Sequence, residues 1–362
     1  MIKQIIDRKV VDGLYAEGLL YSAYGQYERK VHGYKVFKVP LNARFVCPNW
    51  DGRLSESGCI FCPSQAKQFT YQSFREVIDK GFTEQIRHNV EHYQKMGAGA
   101  KGLVYIAFGT NTYAPLDRLR QIFNETVNAH PDVIGFTVGT RPDCLPDEVL
   151  NLLAEYRKSG YEVWVEAGQQ TVHQHTLRET NRQHGLAELI RATDECHERD
   201  IPILAFIILG MPGETHDEMM ETARIISSIG VDAIKLYPLV VMKDTKLANM
   251  WHDGRYKSLG FDEYVNLVAD FLEHLSPYVL IQRLSKDCGL EIKLAPEWNT
   301  YRNIVTPMVE KTLQDRGTRQ GSKHKLTLTC DELVPLSTDR EKDFYEELKC
   351  QRRKNVKSTL SS

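Results

Sequence analysis

The 362-residue sequence has no marked excess of charge of either sign: 46 Lys and Arg stand against 48 Asp and Glu, a formal net charge of −2. No whole-molecule positive field therefore advertises nucleic acid, although a balanced total leaves room for local basic patches. Long apolar runs are missing too. The longest weakly polar stretch, residues 201–212, falls short of the roughly 18 residues a membrane-spanning helix needs, so no membrane segment is expected. The opening MIKQIIDRKVVDG interleaves charges where a signal peptide carries an unbroken apolar core, which makes the cytoplasm the expected location. With 42% hydrophobic and 26% charged residues, the chain has the mix of an ordinary globular protein and not of a collagenous, disordered or disulfide-stapled one. Its length allows one large domain or two small ones.

Eight cysteines in a cytoplasmic chain read as thiols, metal ligands or catalytic groups rather than disulfides. Cys47, Cys59 and Cys62 crowd together, while Cys144, Cys196, Cys288, Cys330 and Cys350 are scattered. No second Cys-x2-Cys pair exists to complete a four-ligand structural zinc site.

What is present is a β-then-α rhythm. Candidate strands cover residues 35–46, 103–108, 133–138, 162–166, 203–209, 232–237 and 279–282; several, such as LVYIAF and ILAFIIL, are near-continuous apolar runs, as in parallel strands buried on both faces. Amphipathic stretches lie between them, LDRLRQIFNETVNAH and PDEVLNLLAEYRK among them. Repeated units of this length imply right-handed crossovers and a parallel sheet. The expected fold is α/β, a partial (β/α)6 TIM-type barrel in preference to a doubly wound sheet. Its expected organisation is an N-terminal extension over 1–34, a core over 35–298, and a C-terminal extension over 299–362 that is helical, basic and partly disordered, with a helix over 339–353 behind an Asp339 cap. In such barrels the chemistry sits at the C-terminal strand ends.

The segment CPNWDGRLSESGCIFC gives Cys47-x11-Cys59-x2-Cys62 directly after the first candidate strand. Three thiolates on one loop can hold three corners of a [4Fe–4S] cluster and leave the fourth iron to another ligand. A zinc site and an accidental triplet are the alternatives.

The sequence resembles the radical S-adenosylmethionine superfamily, in particular the YhcC-like branch related to the Elongator catalytic subunit. The resemblance runs over roughly residues 20–321 and rests on YSAYGQYERKVHGYKVFKVPLNARFVCPNWDG, TNTYAP, GTRPDCLPDEVL, YEVWVEAGQQTVHQHTLRETNR, ILGMPGET, IKLYPLVVMKDTKL, LAPEW and RGTRQGS, in that order. It implies that Cys47, Cys59 and Cys62 bind the cluster and that S-adenosylmethionine chelates the open iron. One electron from an external, unidentified donor then cleaves the sulfonium to a 5′-deoxyadenosyl radical. Phe61 stands where the superfamily usually has an aromatic residue. The turn that usually meets the cofactor's amine, a Gly-Gly-Glu type, here reads Phe108-Gly109-Thr110-Asn111-Thr112 and lacks the acid, so Thr110 and Asn111 would serve through carbonyls and hydroxyls. Glu166, expected to end the fourth strand, would accept ribose hydroxyls, with Gln169 close by; a rim salt bridge is its alternative. Ile208-x-Gly210-x-x-x-Glu214 resembles the adenine-binding turn, with Ile208 packed on the base and Gly210 admitting it. Glu214 itself is expected to cap the next helix.

On the substrate side the expected residues are Arg141, Asp143 and Cys144, then Lys235 and Tyr237, then Gln282 and Arg283. Arg141 or Arg283 could fork onto a carboxylate or phosphate, and Cys144 could return hydrogen or be inert packing. Related sequences tend to have His where Tyr237 stands. His173-x-His175 could be a metal pair, but no carboxylate pattern in the sequence supports it. The Elongator resemblance, with the basic segments 316–325 and 349–357, points to a tRNA base, a wobble uridine, as substrate. A small metabolite or peptide, or a zinc-stabilised binding scaffold, are the competing readings.

Overall fold

Seven apolar runs separated by amphipathic helices can bury themselves on both faces only in a parallel sheet wrapped by those helices, and this is the arrangement in the computed structural model. It describes residues 5–63, 80–95, 97, 99–286 and 291–324. The helix expected over 339–353, the basic segment 349–357 and Cys288, Cys330 and Cys350 lie outside these residues.

In chain order the elements are α1 (Arg8–Ala16), α2 (Tyr24–His32), β1 (Val36–Asn42), α3 (Phe82–Lys95), β2 (Lys101–Ala107), α4 (Leu116–Asn128), β3 (Val133–Thr140), α5 (Asp147–Lys158), β4 (Glu162–Gln170), α6 (Gln174–Glu179), α7 (Leu186–Glu198), β5 (Ile203–Leu209), α8 (His216–Ile229), β6 (Ala233–Pro238), β7 (Val241–Met242), α9 (Lys246–His252), α10 (Phe261–His274), β8 (Leu280–Arg283), β9 (Lys293–Ala295) and α11 (Arg302–Arg316). The large sheet runs β1-β2-β3-β4-β5-β6-β8, and every neighbouring pair is parallel. Strand order follows chain order without the reversal that defines a doubly wound sheet. The result is a curled, open half-barrel of seven strands, one more than the six-unit expectation. The short β7 and β9 pair antiparallel apart from it.

The outer core is strand against helix. Phe123 of α4 stacks on Phe136 of β3 with ring centroids 4.7 Å apart, and Tyr156 of α5 closes edge-on at 5.3 Å from Phe136. A second cluster forms at the other end of the strands. Leu103, Trp164, Leu204, Ala233 and Leu280, each near the start of its strand, bury against Val11 and Leu14 of α1 and Tyr24 and Tyr27 of α2. Tyr24 meets Trp164 edge-on at 5.2 Å. The N-terminal helices thus plug the N-terminal opening and leave the C-terminal strand ends, where the cysteines emerge, uncovered by them. Among the described residues no helix is long and apolar enough to cross a membrane.

Candidate active site

The cysteine loop follows β1 and folds back on itself through backbone bonds. The amide of Trp50 donates to the carbonyl of Cys47 (2.8 Å), Gly58 to Asn49 (2.7 Å) and Cys62 to Cys59 (3.0 Å). Gly58 has φ +63°, and a Cβ there would lie 2.1 Å from the Trp50 indole, so only glycine lets the loop turn over that ring into Cys59. The three thiols end up within electrostatic reach of one another. Burial pushes the Cys62 thiol up to about 12, and Cys59 and then Cys47 add to the rise.

A segment far along the chain braces this loop. The Asn181 amide donates to the carbonyl of Gly58 (2.6 Å) and the hydroxyls of Ser55 (3.0 Å) and Ser57 (3.3 Å). Two N–H groups aim at one sulfur: Arg182 Nη1 lies 3.2 Å and Asn49 Nδ2 3.3 Å from Cys59 Sγ. Arg182 is itself held by the Gly168 carbonyl and by His184 Nε2 (2.9 Å). Burial, reinforced by the charges of Arg182 and Arg141, drives the His184 pKa down to about 2, so its ring is neutral and its Nε2 accepts. Arg141 donates to the Arg182 carbonyl (2.7 Å) and forks onto both oxygens of Asp143 (2.9 Å each). Losing the Asn181 amide should loosen the loop without touching a cysteine. Asn181→Ala is therefore expected to keep a wild-type circular dichroism spectrum and to take up markedly less iron per chain on anaerobic reconstitution.

The turn after β2 clasps the other side. Gly109 has φ +75°, a Cβ there would be 2.3 Å from the Phe45 carbonyl oxygen, and the Thr110 amide donates to Val46 (3.0 Å). Thr110 and Asn111 are fully buried, and the Asn111 amide nitrogen is spent on the Gly139 carbonyl (2.6 Å). Over the strand ends lies a cavity of about 290 Å³ with Cys62, Phe61, Phe108, Ile208, Tyr237 and Lys286 in its wall. Tyr105 and Phe206 form its floor, and beneath them Lys235 Nζ sits 4.4 Å from both ring centroids.

Lys235 is buried in the barrel interior against Glu166. Lys38 Nζ (2.8 Å) and Thr137 Oγ1 (3.0 Å) complete the carboxylate's partners. Burial alone would raise the Glu166 pKa, yet Lys235 and Lys38 together hold it down to about 2. Burial lowers Lys235 to about 7 against the attraction of Glu166.

Models of two families match the chain: the radical SAM superfamily over residues 56–226 and the Radical_SAM C-terminal domain over residues 231–315. An uncharacterised protein of Methanocaldococcus jannaschii is 44% identical over 318 residues, 88% of this chain and 96% of that one. The chain belongs to the radical SAM superfamily. Protein YhcC of Escherichia coli is 35% identical over 293 residues, covering 80% of this chain and 91% of the relative. The solved structure of an archaeal Elp3 from Methanocaldococcus infernus aligns with a TM-score of 0.59 at 19% identity, over 79% of this chain and 64% of that one. Radical SAM enzymes use a [4Fe–4S] cluster and S-adenosylmethionine, and this chain is such an enzyme.

Within this radical SAM barrel the structure gathers Phe61, Cys62, Ile208 and Tyr237 around one cavity and sets other expected residues elsewhere. Glu166 does not end its strand: β4 continues to Gln170, and Glu166 lies fully buried in the lysine cluster, not on the rim facing a ribose. Gln170 lines the cavity, whereas Gln169 is fully buried with its amide on the Thr171 carbonyl (2.9 Å); an irregularity in the β4–β5 register between Ala167 and Gln170 decides which residue faces in. Gly210 has φ +81°, a backbone conformation that favours glycine, and its carbonyl already accepts from Tyr256 (2.9 Å). Glu214 is not a cap. Thr215 caps α8 with Glu218, and Glu214, half-buried, accepts a hydrogen bond from the Thr171 hydroxyl. Cys144 lines a separate depression of about 660 Å³ with Arg53 and Tyr113, and burial holds its thiol up at about 12. Arg283 ends β8, near enough to Lys235 to repel its charge.

Sequence reasoning missed Asn49, Asn181 and Arg182 as supports of the cysteine loop, and Lys38 as a partner of Glu166. The signal for the first group was available: Asn181 and Arg182 lie in the quoted TLRETNR segment, just beyond β4.

Proposed function

We propose that Cys47, Cys59 and Cys62 hold three corners of a [4Fe–4S] cluster, that S-adenosylmethionine occupies the fourth, and that the enzyme acts on a base of tRNA. The observation that carries this reading is the placement of Cys62, with its two companion thiols close by, in the wall of an aromatic cavity at the C-terminal strand ends. The donor set fits the cluster. Three thiols on one short loop suit a cationic iron partner, and the two N–H groups on Cys59 Sγ suit a sulfur that carries negative charge. When bound, the cluster and S-adenosylmethionine supply a 5′-deoxyadenosyl radical that takes hydrogen from substrate.

The chain's own residues have matching tasks. Buried Arg141 Nη1 and Asn111 Oδ1 have no hydrogen-bond partner among the described residues. One donates and the other accepts, as the carboxylate and amine of an amino-acid moiety require. Gly109 and Thr110 fix the turn that carries Asn111. Phe61 and Ile208 offer apolar faces to adenine, and the largely apolar wall of the cavity disfavours water beside reactive species. Phe108, Phe206 and Tyr237 suit a flat base, which stacks on aromatic rings. Lys286 in the wall supplies positive charge at the cavity, and Arg44 and Arg53 are exposed a few positions either side of Cys47 in the chain. The 316–325 segment contributes less than its composition suggests: Arg316 and Lys323 are paired with Asp270 and Glu273, and Arg319 lies over the Tyr15 ring.

An anaerobic binding titration with total tRNA tests the substrate class. Affinity should fall linearly on a log–log plot against salt, with a slope of about −0.7 to −0.9 for each phosphate neutralised. No binding at low salt, together with 5′-deoxyadenosine formation stimulated by a metabolite extract and not by tRNA, would place the substrate among small molecules instead. If tRNA binds with this salt dependence, nucleoside mass spectrometry of tRNA from cells lacking the protein names the base.

A further inference from the structure

His173, which ends the loop after β4 and caps α6, and His175, in the first turn of α6, are two histidines that the cluster chemistry does not use. His173 and His175 are joined by Glu218, from the first turn of α8, so that one ligating atom of each lies within 4.8 Å of the others. Sequence spacing gave no hint of the carboxylate, because it comes from 43 residues further on; only the βα crossover brings it over. The groups are pre-oriented. Glu218 Oε2 is fixed by the amide (2.8 Å) and hydroxyl (2.9 Å) of Thr215, while Oε1 faces His175 Nε2 at 3.4 Å. The Glu218 carbonyl lies 2.7 Å from His173 Nε2. A carbonyl can only accept, so Nε2 carries the proton and, in the neutral ring, the lone pair is on Nδ1. That atom lies 4.0 Å from Glu221 Oε2, a further oxygen one helical turn along α8 and outside the tighter group of three. A backbone carbonyl on the far ring nitrogen is the usual way a metal-ligating histidine is held in its tautomer.

We propose that His173, His175 and Glu218, with Glu221 as fourth ligand, form a zinc-class transition-metal site on the outer rim of the barrel. Two imidazoles and carboxylate oxygens without sulfur suit zinc or a neighbouring first-row divalent ion, and not calcium or magnesium, which take oxygen ligands. Ligand separations in a tetrahedral site with bonds of 2.0–2.1 Å are about 3.3 Å, so a bound ion would draw the present cluster inward. His175, about half exposed, has the rotamer freedom to do so. The site clamps α6 to α8. Because α6 leads directly into Thr180, Asn181 and Arg182, the clamp would stiffen the brace under the cysteine loop.

The proposal does not depend on the cluster assignment, since it uses no cysteine. Zinc is the probe, titrated calorimetrically and anaerobically into the iron-reconstituted protein and into a Cys47→Ser/Cys59→Ser/Cys62→Ser variant. Both should bind one further zinc per chain and gain thermal stability. His173→Ala and His175→Ala should each weaken that binding at least about tenfold while leaving iron content unchanged. Cobalt(II) in the cysteine-free variant should give visible ligand-field bands with no sulfur-to-cobalt charge transfer. Zinc binding that persists unchanged in both histidine variants, that vanishes with the cysteines, or that is absent from the wild-type chain overturns the site.

Discussion

Glu166→Ala should destabilise the protein by about 3–5 kcal/mol, read as a drop in the denaturant midpoint, because it leaves two lysines without the carboxylate that compensates them. Lys235 has almost no access to water and Lys38 little. Without Glu166, Lys235, already lowered to about 7 by burial, gives up its proton and leaves an unpaired amine between the rings of Tyr105 and Phe206, while Lys38 is left with only the Tyr24 ring near its charge. Lys235→Met should cost less. The carboxylate would then keep Lys38 and Thr137, and the thioether would fill the space between the rings. The same cluster predicts an acid limb. The folded-state pKa of Glu166, about 2, lies below its ordinary 4.5, so its contribution is complete above that ordinary value and is lost as pH falls through the folded one. Melts followed across this acid range should show a steeper stability loss in wild type than in Glu166→Gln, which starts lower and keeps only the acid dependence of the other paired carboxylates, such as Asp132 and Asp270.

Cys59→Ala carries the second large effect. Cys59 is the most enclosed of the three thiols and the one on which Arg182 and Asn49 converge. Its loss should remove nearly all labile iron and sulfide after reconstitution, and leave a guanidinium and an amide pointing at an empty methyl. Arg182→Leu keeps the three ligands and loses the charged donor to Cys59 together with its bonds to Gly168 and His184; a tenfold to hundredfold weaker hold on iron is expected, of the order seen when a supporting residue around a metal is removed. Iron and sulfide assays on the two variants separate the ligand from its support.

The apolar strands and the amphipathic helices between them were legible because period and length are local properties of a sequence. The cysteine loop was legible for the same reason: its spacing and its place after β1 are local. What escaped were relations between distant parts of the chain. Glu166 reads as a strand-end acid until β4 is seen to run on to Gln170, and its lysines come from β1 and β6. Asn181 and Arg182 look like ordinary loop residues, yet the βα crossover returns them beneath a loop more than 120 positions earlier. The basic segment 316–325 reads as a phosphate-binding surface from composition, but Asp270 and Glu273 of α10 take up the charges of Arg316 and Lys323. Each miss is a case of tertiary partners redefining a residue whose local signal was correct.

Anaerobic reconstitution, reduction and incubation with S-adenosylmethionine test the account most directly. The expected product is a brown protein with four irons and four labile sulfides per chain that forms methionine and 5′-deoxyadenosine in equal amounts. A colourless chain that holds stoichiometric zinc through Cys47, Cys59 and Cys62, contains no labile sulfide and leaves the sulfonium intact would contradict it.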